Sequence, residues 1–228
     1  MPYLFNVLIR STLAMVGISL CGLTLAETPD SAPQTAGSLM RPFLGLGSQG
    51  MVLAGAFQVS PSFDARVVYS SINLNKTKPA STSATGSMDV KISNLSLLAD
   101  WFPSDNSGWR LTGGIQSGTN KLTLSGTQNG TVNIGGTNYT NVKASATVDL
   151  GNTAPYIGFG YSTRSNKEDG FTFFNDVGIR IGRPQFTLTE STGQASQADL
   201  DAEKARIENK IKVLKYYPVV SLGLGYRW

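Results

Sequence analysis

Three arginines and two aspartates, Arg66, Asp100, Arg110, Asp176 and Arg180, are the residues of this 228-residue chain whose types and placing most invite chemistry. Each falls on the side of an alternating stretch opposite to its large apolar residues. Guanidinium and carboxylate groups at such positions pair with one another, because an unpaired charge removed from water is costly. The set therefore reads as a polar network, either a structural plug of ion pairs or a gated polar path or ligand site. Absences argue against catalysis. The chain has no histidine, the side chain that most often moves protons near neutral pH beside a serine or a carboxylate. No inward serine is clearly paired with a lysine, and no two inward carboxylates stand on adjacent strands, so no catalytic residue is assigned and no enzyme is expected. With a single cysteine, Cys21, and scattered acids, no metal ligands and no cofactor are expected either. A net charge of +4, dispersed along the chain, gives no case for nucleic acid.

Side chains of this kind need walls, and the chain supplies strands. From residue 39 onward, alternation with period two recurs until about residue 198. Eight strands are expected, at 39–47, 51–59, 63–74, 88–102, 109–125, 142–162, 171–182 and 216–228. An even number leaves both ends on one side. Ser60-Pro61-Ser62, Pro103 to Gly108 and Thr163 to Gly170 then become short turns, and 76–87, 126–141 and 183–215 become long loops on the other side. That asymmetry belongs to outer-membrane barrels. One face of each strand is apolar: Met51, Leu53, Phe57 and Val59; Phe63, Val67 and Tyr69; Trp109, Leu111 and Ile115; Ile157, Phe159 and Tyr161. Strand 88–102 slips phase between Val90–Ile92 and Leu95–Trp101, which asks for a bulge near Ser93-Asn94. If Trp101 pairs with Trp109, Asp100 lies opposite Arg110. The aromatics Phe57, Phe63, Trp101, Phe102, Trp109, Tyr161, Phe171, Tyr226 and Trp228 gather near the turn ends, the girdle expected at a periplasmic membrane interface.

The ends supply an address. Residues 1–26 read as a secretory signal peptide, with Arg10, an apolar run from Ser11 to Leu25, and small residues around Ala26. The run is too short and too polar for a transmembrane helix. Lipidation at Cys21 is disfavoured by Leu20 before it, where a small residue is usual. Residues 27–38 read as a flexible periplasmic lead-in and 39–228 as the barrel. Within the last long loop, Asp199 to Leu214 has helical spacing, with Leu200, Ile207, Ile211 and Leu214 on one stripe. Its favoured place is against the molecule itself, capping the barrel or another loop.

Several stretches carry a resemblance: Leu98-Ala-Asp-Trp-Phe-Pro103, Trp109-Arg-Leu-Thr-Gly-Gly114, Ala154-Pro-Tyr-Ile-Gly-Phe-Gly160, and Lys215-Tyr-Tyr-Pro-Val-Val-Ser-Leu-Gly-Leu-Gly-Tyr-Arg-Trp228. Over about 40–228 they resemble a poorly characterised group of proteobacterial outer-membrane β-barrel proteins, similar in pattern to the opacity-protein and outer membrane protein A type. The aromatic end resembles the terminal strand read by the barrel-insertion machinery. The resemblance implies a fold and a location, the bacterial outer membrane with both termini periplasmic, and no activity.

The expectation is thus an all-β chain: an eight-stranded antiparallel transmembrane barrel with one amphipathic helix in the last extracellular loop. It is expected to be monomeric, in contact with outer-membrane lipid, with a surface ligand at its outer loops. Its role is structural or surface interaction with a polar-plugged lumen, or else a narrow channel or carrier for small solutes, apolar ones included.

Overall fold

The computed structural model describes residues 40–81, 84–104, 107–163 and 170–227. The expected signal peptide, the lead-in and Trp228 lie outside the described residues.

Eight strands form a ring: β1 (Arg41–Gly47), β2 (Gly50–Ser60), β3 (Phe63–Ser81), β4 (Ala84–Trp101), β5 (Trp109–Ile134), β7 (Thr153–Ser162), β8 (Gly170–Ile181) and β10 (Tyr216–Arg227). Neighbours pair antiparallel in the order β1-β2-β3-β4-β5-β7-β8-β10, and β10 returns to β1. Two further strands stand outside the ring. β6 (Thr137–Asp149) pairs with the far half of β5, and β9 (Gln185–Glu190) pairs with β6. The chain is therefore all-β and antiparallel, but its eight-membered ring is not evenly closed. The wall is low along β1, β2, β7, β8 and β10, and tall along β3, β4 and β5, which run 19, 18 and 26 residues.

Several expected boundaries move for one reason. Segments 76–87 and 126–141 are largely strand, and the expected strand 142–162 is two, divided by a turn at Leu150 to Asn152. The last long connection holds β9 as well as a helix. These stretches are rich in Ser, Thr, Asn and Gly because they form the part of the sheet that stands clear of the apolar wall. There, small polar residues pair across strands, as Thr123 does with Thr147 and Ser125 with Ser145, the hydroxyl oxygens 3.2 and 2.9 Å apart. This upper, five-stranded sheet of β3, β4, β5, β6 and β9 forms a crown above the ring.

Around the ring, outward residues are apolar on all eight strands: Leu44, Leu53, Val67, Leu97, Leu111, Phe159, Phe173 and Leu224 are exposed examples. The belt ends where the outward face turns to Ser71, Ser93, Ser117 and Thr153. At its lower edge, the edge of the Pro61-Ser62 turn, lie the exposed rings of Phe57, Phe63, Trp101, Trp109, Phe171 and Tyr226. Trp109 meets Tyr161 edge-on at 5.5 Å, and Phe171 meets Tyr226 at 5.4 Å. Phe102 is not among them. It is 1% exposed, its backbone N–H bonded to the carbonyl of Ser62.

No bulge breaks β4 at Ser93-Asn94. Its register with β3 and β5 is continuous there, and Val90 and Ile92 point inward with Asn94. The interior itself becomes apolar at that height, so the change of pattern reflects a change of surroundings and not of backbone.

On β10 the small face explains how two rings fit inside. A Cβ on Gly223 would lie 2.4 Å from Phe174, and one on Gly225 2.4 Å from Phe43. Phe43 and Phe174 fill that space, ring centroids 5.1 Å apart, and pack with Val52, Ala54 and Ala56 as the apolar side of the interior.

The helix α1 (Gln197–Ile211) is followed by a turn of 3-10 helix, Lys212–Lys215. Ser196 caps it, its hydroxyl accepting from the Asp199 N–H at 3.2 Å and donating to the Asp199 carboxylate at 2.7 Å. The Tyr139 hydroxyl donates to the same carboxylate at 2.5 Å. These two donors, Tyr139 foremost, hold the Asp199 carboxyl below its ordinary range. α1 packs on β9 and the far part of β5 through Ile207 and Ile211, both buried, with Glu203. Glu203 lies on this buried face and receives Arg206 from one turn on, at 2.5 and 3.0 Å.

Candidate functional site

Inward positions of the ring carry polar side chains in layers, set by strand alternation. The lowest pair is Arg41 and Asp64, both buried and in contact. Above it, the Arg66 guanidinium forks between two carboxylates. Its Nη1 and Nη2 donate to Asp176 at 2.5 and 3.1 Å, while Nη2 and Nε lie 3.0 and 2.8 Å from Asp100. Arg110 reaches the same two acids, Nη2 donating to Asp176 at 2.7 Å and Nε standing 3.5 Å from Asp100. Thr112 Oγ1 donates to Asp100 at 2.6 Å, and Arg110 also donates to the Asn175 carbonyl and the Ser162 hydroxyl. Two positive and two negative groups cancel within one slice of the barrel. That neutrality makes burial tolerable.

Above the quartet, two uncharged layers cross the interior. Gln49 and Gln116 exchange amide hydrogen bonds, each 2.9 Å, with Gln116 donating to Ser96 and Ser70 donating to Gln49. Higher still, Asn94 and Asn120 exchange two bonds of 2.8 Å. Between the quartet and the glutamines a cavity of about 30 Å³ remains, lined by Arg66, Asp176, Tyr156, Gln49, Ser70 and Gln116 among others. That is room for about one water. Chemically the arrangement lines the interior with paired polar groups.

Of the five expected network residues, the structure brings Arg66, Asp100, Arg110 and Asp176 together. Arg180 stands apart, fully buried, donating to the carbonyls of Leu150 and Gly151 at 2.9 and 2.6 Å and so fastening the β6–β7 turn. The expected pairing of Trp101 with Trp109 also differs: Trp101 faces Leu111 and Asp100 faces Thr112. The turn after Trp101 is longer than a tight hairpin and tucks Phe102 inward, which shifts the register by two. Arg110 reaches Asp100 diagonally. Sequence reasoning missed Arg41, Asp64, Thr112, Gln116, Asn94 and Asn120, although each has inward parity on a strand. Gln49 gave no signal, since it sits in the β1–β2 turn and folds into the interior.

No family model matches the chain, and no curated protein does. Among solved structures it is similar to CarO2 of Acinetobacter baumannii, with a TM-score of 0.61 and 21% identity over 84% of this chain and 99% of that one. CarO of the same organism is alike at 0.60 and 22%, over 83% and 98%. At this level of identity the likeness establishes the shared fold.

Proposed function

We propose that the chain is a non-enzymatic integral protein of the bacterial outer membrane whose barrel is a closed anchor and whose crown is the working part, held in water for contact at the cell surface. The observation that carries this reading is the stack of side chains across the interior: an ion-pair quartet, then two reciprocal amide pairs, inside a wall that is apolar on its outer face. An apolar exterior around a polar interior is the arrangement lipid demands of a spanning barrel. In this reading the aromatic edge lies at the periplasmic interface, both termini are periplasmic, and the last strand engages the insertion machinery. Both carboxylates of the quartet are taken up by guanidinium donors, so no group there is free to carry a proton for catalysis.

Purified protein in planar bilayers should give no reproducible conductance. Steady single-channel steps would overturn the closed anchor in favour of a narrow channel. The side on which the crown stands is checked by a cysteine at Thr123: labelling of intact cells by a membrane-impermeant maleimide is expected, and labelling only after lysis contradicts the orientation.

A further inference from the structure

The register runs unbroken across the middle of the crown, so its two faces can be read row by row. Leu74 pairs with Val90, Val90 with Leu122, Leu122 with Val148, and Val148 with Phe186, a row that is apolar from edge to edge. The next row on that face is Lys76, Met88, Leu124, Ala146 and Leu188. On the opposite face, Asn75, Asp89, Thr123, Thr147 and Thr187 form a row that is polar throughout. A sheet with one apolar face has to cover it. Among the described residues, α1 does so at one end. Toward β9, where it packs, Phe186 is 5% exposed and its neighbour Val148 on β6 likewise, whereas Leu74, Met88, Val90, Leu122 and Leu124 stay half-buried on the same face.

The uncovered part has a floor, a wall and a rim. The Asn94–Asn120 pair lies one step below Leu122 and Ile92. α1 bounds the β9 side. On the β3 side the edge is open, because β2 ends its pairing at Met51 and Ser71, and from Ile72 upward no strand pairs with β3 on the side away from β4 among the described residues. At that edge stands Lys76, the one charged residue in the two apolar rows, exposed and in no ion pair among the described residues.

We infer that this uncovered face, Leu74, Met88, Val90, Leu122 and Leu124 with Lys76 at its rim, binds a free long-chain fatty carboxylate, the chain lying along the apolar rows and the carboxylate against Lys76. Size selects the occupant. The second row, from Lys76 across Met88, Leu124 and Ala146 to Leu188, crosses five strands and is half-buried beyond the lysine; at roughly 19 Å by 7 Å the two rows match the length of one extended long alkyl chain and fall far below the ~800 Å² per partner of a stable protein interface. Charge selects the head, since the single rim cation attracts an anion. The inference deepens the surface-contact reading and rests on a crown standing in water above a closed interior. Conductance reports on the interior and ligand capture on the crown, so either can fail alone.

The test uses the full chain in nanodiscs of zwitterionic lipid, with a diazirine-bearing sixteen-carbon fatty acid as photoprobe and dodecanoate as competitor, and adducts mapped by mass spectrometry. Adducts on Leu74, Val90 or Leu122, removed by competitor, are expected. Lys76→Glu should lower capture about fivefold and Leu122→Gln roughly tenfold, while Leu97→Gln on the outer wall leaves it unchanged. Heat-shifted gel mobility verifies that each variant folds; Met88→Gln replaces Leu122→Gln if that one does not. Adducts confined to the outer wall, or capture indifferent to Lys76→Glu and Leu122→Gln, overturn the inference. So does a cross-linked dimer that masks the face, which assigns it to a second copy.

Discussion

Arg66 joins strands that lie on different sides of the ring, since its guanidinium binds Asp176 on β8 and Asp100 on β4. Arg110 supports the same acids from β5. Removing one partner of a buried pair leaves the other charged and short of donors, so Arg110→Ala is expected to destabilise the barrel by about 3–5 kcal/mol, measured by urea unfolding from lipid vesicles. Arg110→Lys should recover only part, because an ammonium cannot reproduce the guanidinium fork. A variant that opens a conducting path without losing stability would show a gate in place of a plug. At this scale the sequence revealed sides better than partners. Period-two alternation alone turns Arg66, Arg110, Asp100 and Asp176 inward. Which of them meet depends on register, and register was displaced by Phe102, an aromatic that reads as interfacial but is buried. Arg180 shows the limit of that logic: inward parity put it with the quartet, while its height on β8 carried it to the turn above.

Among the elements, α1 is fastened at its first turn. Asp199 accepts from Ser196 and Tyr139, and Gly135 in the β5–β6 turn, at φ +62, lies so close that a Cβ there would stand 2.4 Å from the Asp199 carbonyl oxygen. Because the folded carboxyl is held below its ordinary range, its contribution is fully present above the unfolded value near ~4 and is lost as pH falls through the lower folded value. A spin label at Lys204→Cys in a Cys21→Ser background should therefore report a mobile helix in acid and an ordered one at neutral pH. Tyr139→Phe should move the onset toward higher pH, and an unchanged profile would remove Asp199 from the fastening. Gly135→Ala is expected to loosen the same end at all pH values, since positive φ and contact both oppose a side chain. The helix itself was legible from the spacing of Leu200, Ile207 and Ile211. Glu203 was not, for a carboxylate on a buried stripe is explained only by Arg206 folding back over it. Strands reaching to Ser81 and Ile134 were hidden for a different reason: with one face in water, Ser, Thr and Asn there look like loop.

For the whole molecule, the outer face divides at Tyr69, Leu95 and Ile115 into an apolar belt and a polar crown. The division predicts where charge is tolerated. Leu97→Arg, within the belt, should weaken folding into vesicles by roughly 2–4 kcal/mol, while Thr123→Arg, on the polar face of the crown, should fold as the parent does. Equal effects at both sites would contradict the placement of the belt. The closed ring and its outward apolar face were readable from alternation, whereas the uneven height of the wall was not, because no local signal marks where β5 exchanges β7 for β6 as its neighbour.

That exchange gives the chain a timetable. The upper part of β5 meets β6 across the turn at Gly135-Gly136, a hairpin between adjacent segments of the kind that forms in microseconds. Closing the ring requires Phe43 to find Gly225, nearly the full length of the chain away, and contacts so distant in sequence come late. The crown is therefore expected to be structured while the barrel is still an open sheet. Pulsed cysteine labelling during refolding should protect a probe at Val132 in the hairpin before one at Ser221 on the seam, and the reverse order would mean that the seam, and not the hairpin, starts the process.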